Sequence, residues 1–271
     1  MPAVSLIISF YNRIDYLRLV LAGLEVQSFR NFEVIIADDG SDDSVVRQIE
    51  SLHKEFNLII KHCRHEKAGF RKNRILNLAI RAASADYLIF IDGDCVPHPE
   101  FVREHHENRN ANACLTGRRV NLSEKFTQKL SVKKILNGYL QNGFLNLIAD
   151  GVFGKSFDVE KGFYFRNTFL RKQFNKKKRG VLGCNFSLYK ELMLKINGFD
   201  ERYEAPSIGE DSDIQYRLEL LGAEIISMNF IAVQYHLYHR LQPRLQVNLD
   251  LFEAVKKEGK AFTDFGIKGK N

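Results

Sequence analysis

Apolar runs alternate with amphipathic stretches through the first half of the chain. The run at 4–10 (VSLIISF) predicts a strand, and 13–28 predicts a helix with Leu17, Val20, Leu21 and Leu24 on one face. A second run, 32–37, stops at Asp38-Asp39-Gly40-Ser41. A helix over 42–56, a short strand over 58–62 and a helix over 70–83 follow, the last with Ile75, Leu78 and Ala79 inward. The fourth apolar run, Tyr87-Leu88-Ile89-Phe90-Ile91, ends abruptly at Asp92-Gly93-Asp94. Strands and helices that alternate over short connections predict an α/β fold with a parallel sheet and right-handed crossovers.

After Asp94 the pattern loosens. Residues 99–108 predict a helix and 113–121 a strand. Residues 123–180 are rich in Phe, Gly, Asn and Lys, with weak helical periodicity around 132–144, and predict an insertion with mobile parts. Order returns at Val181-Leu182-Gly183-Cys184-Asn185. A helix over 190–196 ends in Asn197-Gly198-Phe199-Asp200, with Gly198 as the C-cap. A further helix starts at Glu210 and runs to Leu221, two short strands are expected over 224–228 and 231–235, and a helix with a polar end is expected from Pro243. No internal repeat or clear linker interrupts this order, so one domain with a decorated second half is expected.

Composition narrows the partners. The chain has 271 residues, 45% of them hydrophobic, enough for a sizeable core, and a formal charge of +7. Much of the basic excess lies in the stretch 171–179, which reads as a solvated loop, as a contact for an anionic membrane surface or as a contact for an anionic substrate. The basic residues are not interleaved with a nucleic-acid motif, so no nucleic-acid partner is expected. Cys63, Cys95, Cys114 and Cys184 are widely spaced and form no Cys-x-x-Cys pair, which fits a reducing compartment. No signal-peptide pattern opens the chain and no stretch approaches the roughly 20 apolar residues of a span. The expectation is a cytoplasmic protein, at most peripheral to the inner face of the cell membrane.

The candidate chemistry sits where strands end. Ser9-Phe10-Tyr11-Asn12, Asp38-Asp39-Gly40-Ser41 and Asp92-Gly93-Asp94 would all lie on one edge of a parallel sheet. The Tyr11 ring could stack on a base, and the Asp39 carboxylate could accept a hydrogen bond from a ring N–H. Two carboxylates at i and i+2 on a turning backbone, Asp92 and Asp94, can converge on one hard cation that keeps substrate phosphates among its ligands. Glu210 and Asp211 open a helix, where acids also favour the helix dipole, with Ser207 or Gly209 as candidate N-cap. His236 and His239 could share one face as a metal pair or stand as ordinary histidines.

In order and spacing, the strand 4–12, the Asp38-Asp39-Gly40-Ser41 turn and Asp92-Gly93-Asp94 resemble the family 2 inverting nucleotide-sugar glycosyltransferases of GT-A fold and Asp-x-Asp type. Gly183-Cys184-Asn185-Phe186-Ser187, Asn197-Gly198-Phe199-Asp200-Glu201 and Gly209-Glu210-Asp211-Ser212-Asp213 extend the resemblance over roughly 3–240. It implies a Rossmann-like, mostly parallel central sheet flanked by helices. Residues 1–245 would form one domain, with 1–120 the nucleotide-sugar half, 121–245 the acceptor-side half with its insertion, and 246–271 a C-terminal helix and tail.

The resemblance also implies roles. Ser9, Tyr11 and Asp39 would contact the nucleoside, with Asp39 reading a uracil, and Arg71 matches a basic position that approaches the nucleotide. Asp92, with Gly93 in the same turn, would contact the ribose or the metal. Asp94 would hold a divalent ion (Mn²⁺ or Mg²⁺), completed by His236, while His239 would instead meet the diphosphate. Asp211 would be the general base and Glu210 would orient the acceptor or sugar. The implied reaction moves a hexose or N-acetylhexosamine from a UDP-sugar to a hydroxyl of a glycan or lipid-linked acceptor, in surface polysaccharide synthesis. Processive relatives carry Gln-x-x-Arg-Trp after the acidic pair, and this chain has no Trp, which implies addition of a single sugar. A nucleotidyltransferase would need a glycine-rich basic phosphate loop near the first strand, and 9–13 lacks one.

Overall fold

The computed structural model describes residues 1–175, 179–206, 209–240 and 245–269. Lys176, Lys177 and Lys178 of the basic stretch, the candidate cap Ser207, and Pro243 at the start of the expected last helix lie outside the described residues.

The first half follows the hydrophobic pattern closely. It runs β1 (Val4–Phe10), α1 (Ile14–Glu25), β2 (Phe32–Asp38), α2 (Asp43–Glu55), β3 (Ile60–Arg64), α3 (Lys72–Ala82) and β4 (Tyr87–Asp92). Next come β5 (Cys95–Pro97), α4 (Phe101–Glu107), β6 (Ala113–Thr116) and β7 (Arg118–Asn121). The expected insertion folds into short helices α5 (Glu124–Gln128), α6 (Val132–Leu136), α7 (Tyr139–Asn142), α8 (Phe144–Phe153) and α9 (Thr168–Phe174), with a 3₁₀ turn at Val159–Gly162. The chain continues through β8 (Asn185–Tyr189), α10 (Lys190–Lys195), α11 (Glu210–Leu220), β9 (Glu224–Ser227), β10 (Val233–His236) and α12 (Gln246–Glu258).

The large sheet has the order β3-β2-β1-β4-β8-β6-β9 and is parallel except at β8, which runs antiparallel to both neighbours. The chain is thus α/β with a mostly parallel central sheet flanked by helices. Period-two alternation sends Leu6, Ile8 and Phe10 to one apolar cluster and Ile7 to the other, with Ile35, Leu88 and Phe90. Both faces of β1 and β2 are therefore buried, as parallel strands under helices require.

A second sheet, β5-β10-β7, stands beside the first. Its register pairs His236 with Cys95, and the Leu237 N–H donates to the Asp94 carbonyl at 2.8 Å. Gly23 lets α1 lie against it: a Cβ there would come within 2.9 Å of Val96 and Pro97.

Local readings changed where long-range pairing decides. The single strand expected over 113–121 is two, β6 in the large sheet and β7 in the small one. They part at Gly117, where a Cβ would meet the Asn185 side chain at 2.3 Å. β5 and β8 were not foreseen as strands. The cap of α10 is shifted by one: Asn197 (φ 65°) takes the first left-handed position and Gly198 (φ 74°) the next. The Gly198 N–H donates to the Met193 carbonyl and the Asn197 N–H to that of Leu194, the paired bonds of a Schellman motif. The polar end is no free tail. Asn197 holds Thr263 and Lys268 through its side chain, and Ile267 is buried.

Candidate active site

The order of strands around β1 reverses between β1 and β4, the position where open α/β sheets bind ligands beyond their carboxyl ends. Ser9 and Asp92 face each other there in register, and the Ser9 hydroxyl donates to Asp92 Oδ1 at 2.6 Å. The Gly93 N–H turns back onto the Ser9 carbonyl at 2.8 Å. This crevice opens into a cavity of about 1230 Å³.

Its far wall is the N-terminus of α11. Gly209 (φ 103°) caps the helix, and Arg217 anchors it from within. The buried Arg217 guanidinium pairs with Asp213 at 2.5 Å and donates to the Ile196 and Gly198 carbonyls. Glu210 and Asp211 are thereby aimed at Asp92. Lys72 stands between, its ammonium 3.1 Å from Asp92 Oδ1 and 3.9 Å from Glu210 Oε1. Asp211 Oδ2 accepts the Gly183 N–H at 2.9 Å, and a Cβ on Gly183 would fall 2.1 Å from Asp211 Oδ1, so only glycine permits this approach.

Burial, then the neighbouring Asp211 charge, push the Glu210 carboxyl up to about 7, with Lys72 resisting. Burial raises Asp211 too, against Lys72 and the Gly183 N–H. Burial disfavours the Lys72 charge, but Asp92, Glu210 and Asp211 outweigh it and hold the ammonium firmly charged.

A second acid stands at the other corner. Asp94 Oδ2 lies 3.2 Å from His239 Nε2 and 3.6 Å from His236 Nε2, and the two imidazole nitrogens are 3.1 Å apart. His239 Nδ1 lies 2.9 Å from the Arg240 carbonyl. An Nδ1–H donated there leaves Nε2 facing the carboxylate. Burial opposes ionisation of Asp94, but hydrogen bonds from the two histidines win and hold its carboxyl far below the usual range. The bond to Asp94 raises His239. One carboxylate oxygen and two imidazole nitrogens crowded together need a proton or a cation among them. The set suits a divalent ion such as Mn²⁺. Cys95 adds a thiol within the same cluster, with the ligand atoms of Asp94, Cys95 and His236 within 4.8 Å of one another.

The third corner is formed by the loops after β1 and β2. Tyr11 is half-exposed with the Lys67 ammonium 3.8 Å from its ring centroid. Asp39 is nearly buried and already engaged, by His65 Nε2 at 2.8 Å, Lys67 Nζ at 3.1 Å and the Arg71 N–H at 3.2 Å. A base reading Asp39 would join or displace these partners.

Ser9, Tyr11, Asp39, Asp92, Gly93, Asp94, Glu210, Asp211, His236 and His239 all line the one cavity. Arg71 does not; it offers its backbone to Asp39, and its neighbour Lys72 is the cation in the cavity. Sequence reading missed Lys72 by one position. Arg119, also on the wall, donates to the Cys184 sulfur at 3.3 Å. Burial works against its charge, but Cys184, Cys95, Asp92 and Asp94 hold it. Nothing local marks it, because β7 reaches the site only by pairing with β10.

A cleft at the switch point with acids from several strand ends defines an α/β enzyme whose ligand sits on the sheet edge. Residues 5–190 match the model of Glycosyl transferase family 2, and 165–240 match that of the N-terminal domain of galactosyltransferase. The chain belongs to glycosyl transferase family 2 and is a glycosyltransferase. It is 31% identical over 244 residues to chondroitin synthase of Escherichia coli, covering 86% of this chain and 34% of that protein. Against hyaluronan synthase of Pasteurella multocida it is 26% identical over 247 residues, covering 86% and 24%. The chain thus spans about a third or less of these relatives' length. Among solved structures, GalNAc-T7 with UDP, GalNAc and Mn²⁺ superposes with a TM-score of 0.62 at 14% identity, covering 94% of this chain and 48% of that one. S. aureus TarS 1–349 in complex with UDP gives 0.55 at 17%, covering 87% and 60%. These likenesses show the fold, which is GT-A.

Proposed function

We propose that the chain is a metal-dependent inverting transferase that moves a hexose or N-acetylhexosamine from a UDP-sugar to a hydroxyl of a glycan or lipid-linked saccharide. The observation that carries this reading is the placement of two differently tuned acid groups, Asp94 with its histidines and Asp211 with Glu210, around one cavity. The solved relatives that carry UDP, or UDP with Mn²⁺, support the donor and the metal. The chondroitin and hyaluronan synthases support a role in surface polysaccharide synthesis.

Asp94, His236 and His239 would hold the divalent ion. When bound, it would supply positive charge for the diphosphate leaving group. Ser9, Tyr11 and Asp39 line the side given to the nucleoside, and Asp92 the side given to ribose or metal. Lys72 and Arg119 would bring further positive charge toward the diphosphate. Asp211 would take the proton of the acceptor hydroxyl as that oxygen attacks the anomeric carbon, and Glu210 would orient the acceptor. Direct in-line displacement, with the acceptor oxygen entering opposite the departing diphosphate, inverts the centre and needs no enzyme nucleophile. The missing Trp supports one sugar per encounter. The basic stretch 171–179 is the part that would face an anionic membrane bearing a lipid-linked acceptor.

The test is release of nucleotide from UDP-, GDP- and dTDP-sugars with Mn²⁺, Mg²⁺ or EDTA, alongside calorimetric binding. Metal-dependent release or binding confined to one UDP-sugar is expected. Absence of both release and binding across the panel would overturn the reading.

A further inference from the structure

Much of the insertion's apolar surface covers nothing. In α8 only Leu147 is buried; Leu145 (79% exposed), Val152 (68%) and Phe153 (89%) point outward, with Ile148 on the same side. α9 buries no residue at all, and Phe169, Leu170 and Phe174 are exposed. A chain of rings joins the two helices: Phe144 to Phe163 at 4.4 Å, Phe163 to Phe165 at 6.4 Å, and Phe165 to Phe174 at 5.3 Å. Contiguous apolar surface of this kind marks an interaction site rather than chance exposure.

The charge toward α9 is mostly basic: Asp150 is taken by Ser156 and Asp158 by Lys161, leaving Glu160 as the exposed acid between the two helices. Residues 161–182 contain eight basic side chains and no acidic one. Arg171 is committed to Glu104, but Arg166 and Lys172 are exposed, and Lys155 follows α8. Outward aliphatic and phenyl side chains beside exposed cations match the two layers of an anionic bilayer, acyl chains and headgroups. A polyanionic glycan would satisfy the cations. It would leave Leu145, Val152 and Phe153 without an apolar partner, so the bilayer is the better fit.

From this surface we infer that α8 and α9 dock the protein on an anionic membrane, with Leu145, Val152 and Phe153 entering the acyl boundary and Arg166 and Lys172 meeting the headgroups. This stands apart from the transfer reaction and is read without turnover. The test is co-sedimentation of the 271-residue chain with vesicles of phosphatidylcholine, with or without phosphatidylglycerol. Binding is expected only with phosphatidylglycerol, weakening as salt rises. The combined variant Leu145→Ser, Val152→Ser, Phe153→Ser should lose about tenfold or more in partitioning while keeping wild-type circular dichroism and UDP binding. Arg166→Glu with Lys172→Glu should lose binding that salt would otherwise screen. Three results would overturn the inference. One is no vesicle binding. Another is equal binding by the serine variant, with dextran sulfate competing fully, which would identify an anionic polymer as the ligand. The third is a concentration-dependent dimer abolished by the serine variant, which would make the face a contact between copies.

Discussion

Two carboxylate groups share one cavity and are driven in opposite directions. Asp94 and Asp211 both lose water, which by itself would raise both. Asp94 has two histidines within 3.6 Å and is held ionised. For Asp211, burial and the Asp92 charge oppose ionisation and outweigh Lys72, the Gly183 N–H and Arg119; both Asp211 and Glu210 are raised, Glu210 to about 7. Neighbours, not burial, thus separate an acid fit to hold a cation from an acid fit to accept a proton. Sites whose acids are pushed apart in this way commonly divide the chemistry between them.

The division can be broken most sharply at Asp211. Asp211→Asn should lower transfer by about 10²–10⁴-fold while donor binding stays near wild type, read as kcat against calorimetric affinity. Equal loss of both would put Asp211 with the metal corner. Asp94→Ala should do the reverse, weakening metal-dependent UDP binding more than about tenfold; unchanged affinity with and without Mn²⁺ would remove Asp94 from the metal. Lys72→Met sharpens the contrast, because it removes the cation between Asp92 and Glu210. Wild-type turnover should rise with pH through about 7 as Glu210 ionises, and in Lys72→Met this limb should move alkaline by about one unit or more. An unmoved pH profile would deny Lys72 that influence.

The smallest effect concerns stability. Glu210 binds its proton more tightly folded than unfolded, so its contribution is full below about 4.5 and is lost as pH rises to about 7. Glu210→Gln should therefore stabilise the protein by on the order of 1–3 kcal/mol at pH 8, with the gain vanishing below pH 4.5. A gain that is the same at both pH values would show packing, not charge, at work.

Local signals made the first half legible. β1 to β4 are unbroken branched or aromatic runs ended by acid-rich turns, and burial on both faces leaves little room for another register. The acids at their ends could be named because a turn after a strand fixes where they lie. β5, β7 and β8 depend on partners far along the chain, and nothing within a few residues of Cys95 or Gly117 announces a change of sheet. Arg119 was invisible for the same reason. A basic pair at a helix start does not say which side chain turns into the cavity: Arg71 stands at the N-cap of α3 with its N–H on Asp39, and Lys72 opens the helix and lines the cavity. The weak periodicity around 132–144 corresponds to two short helices, α6 and α7, each burying a single residue, Ile135 and Leu140, too few to impose a period.

The most direct test of the divided site is calorimetric titration of Asp211→Asn and Asp94→Asn with UDP, each in Mn²⁺ and in EDTA. Wild-type, metal-dependent binding by Asp211→Asn and its loss in Asp94→Asn is the predicted result. Loss of binding in Asp211→Asn, or EDTA-resistant binding in the wild type, would contradict it.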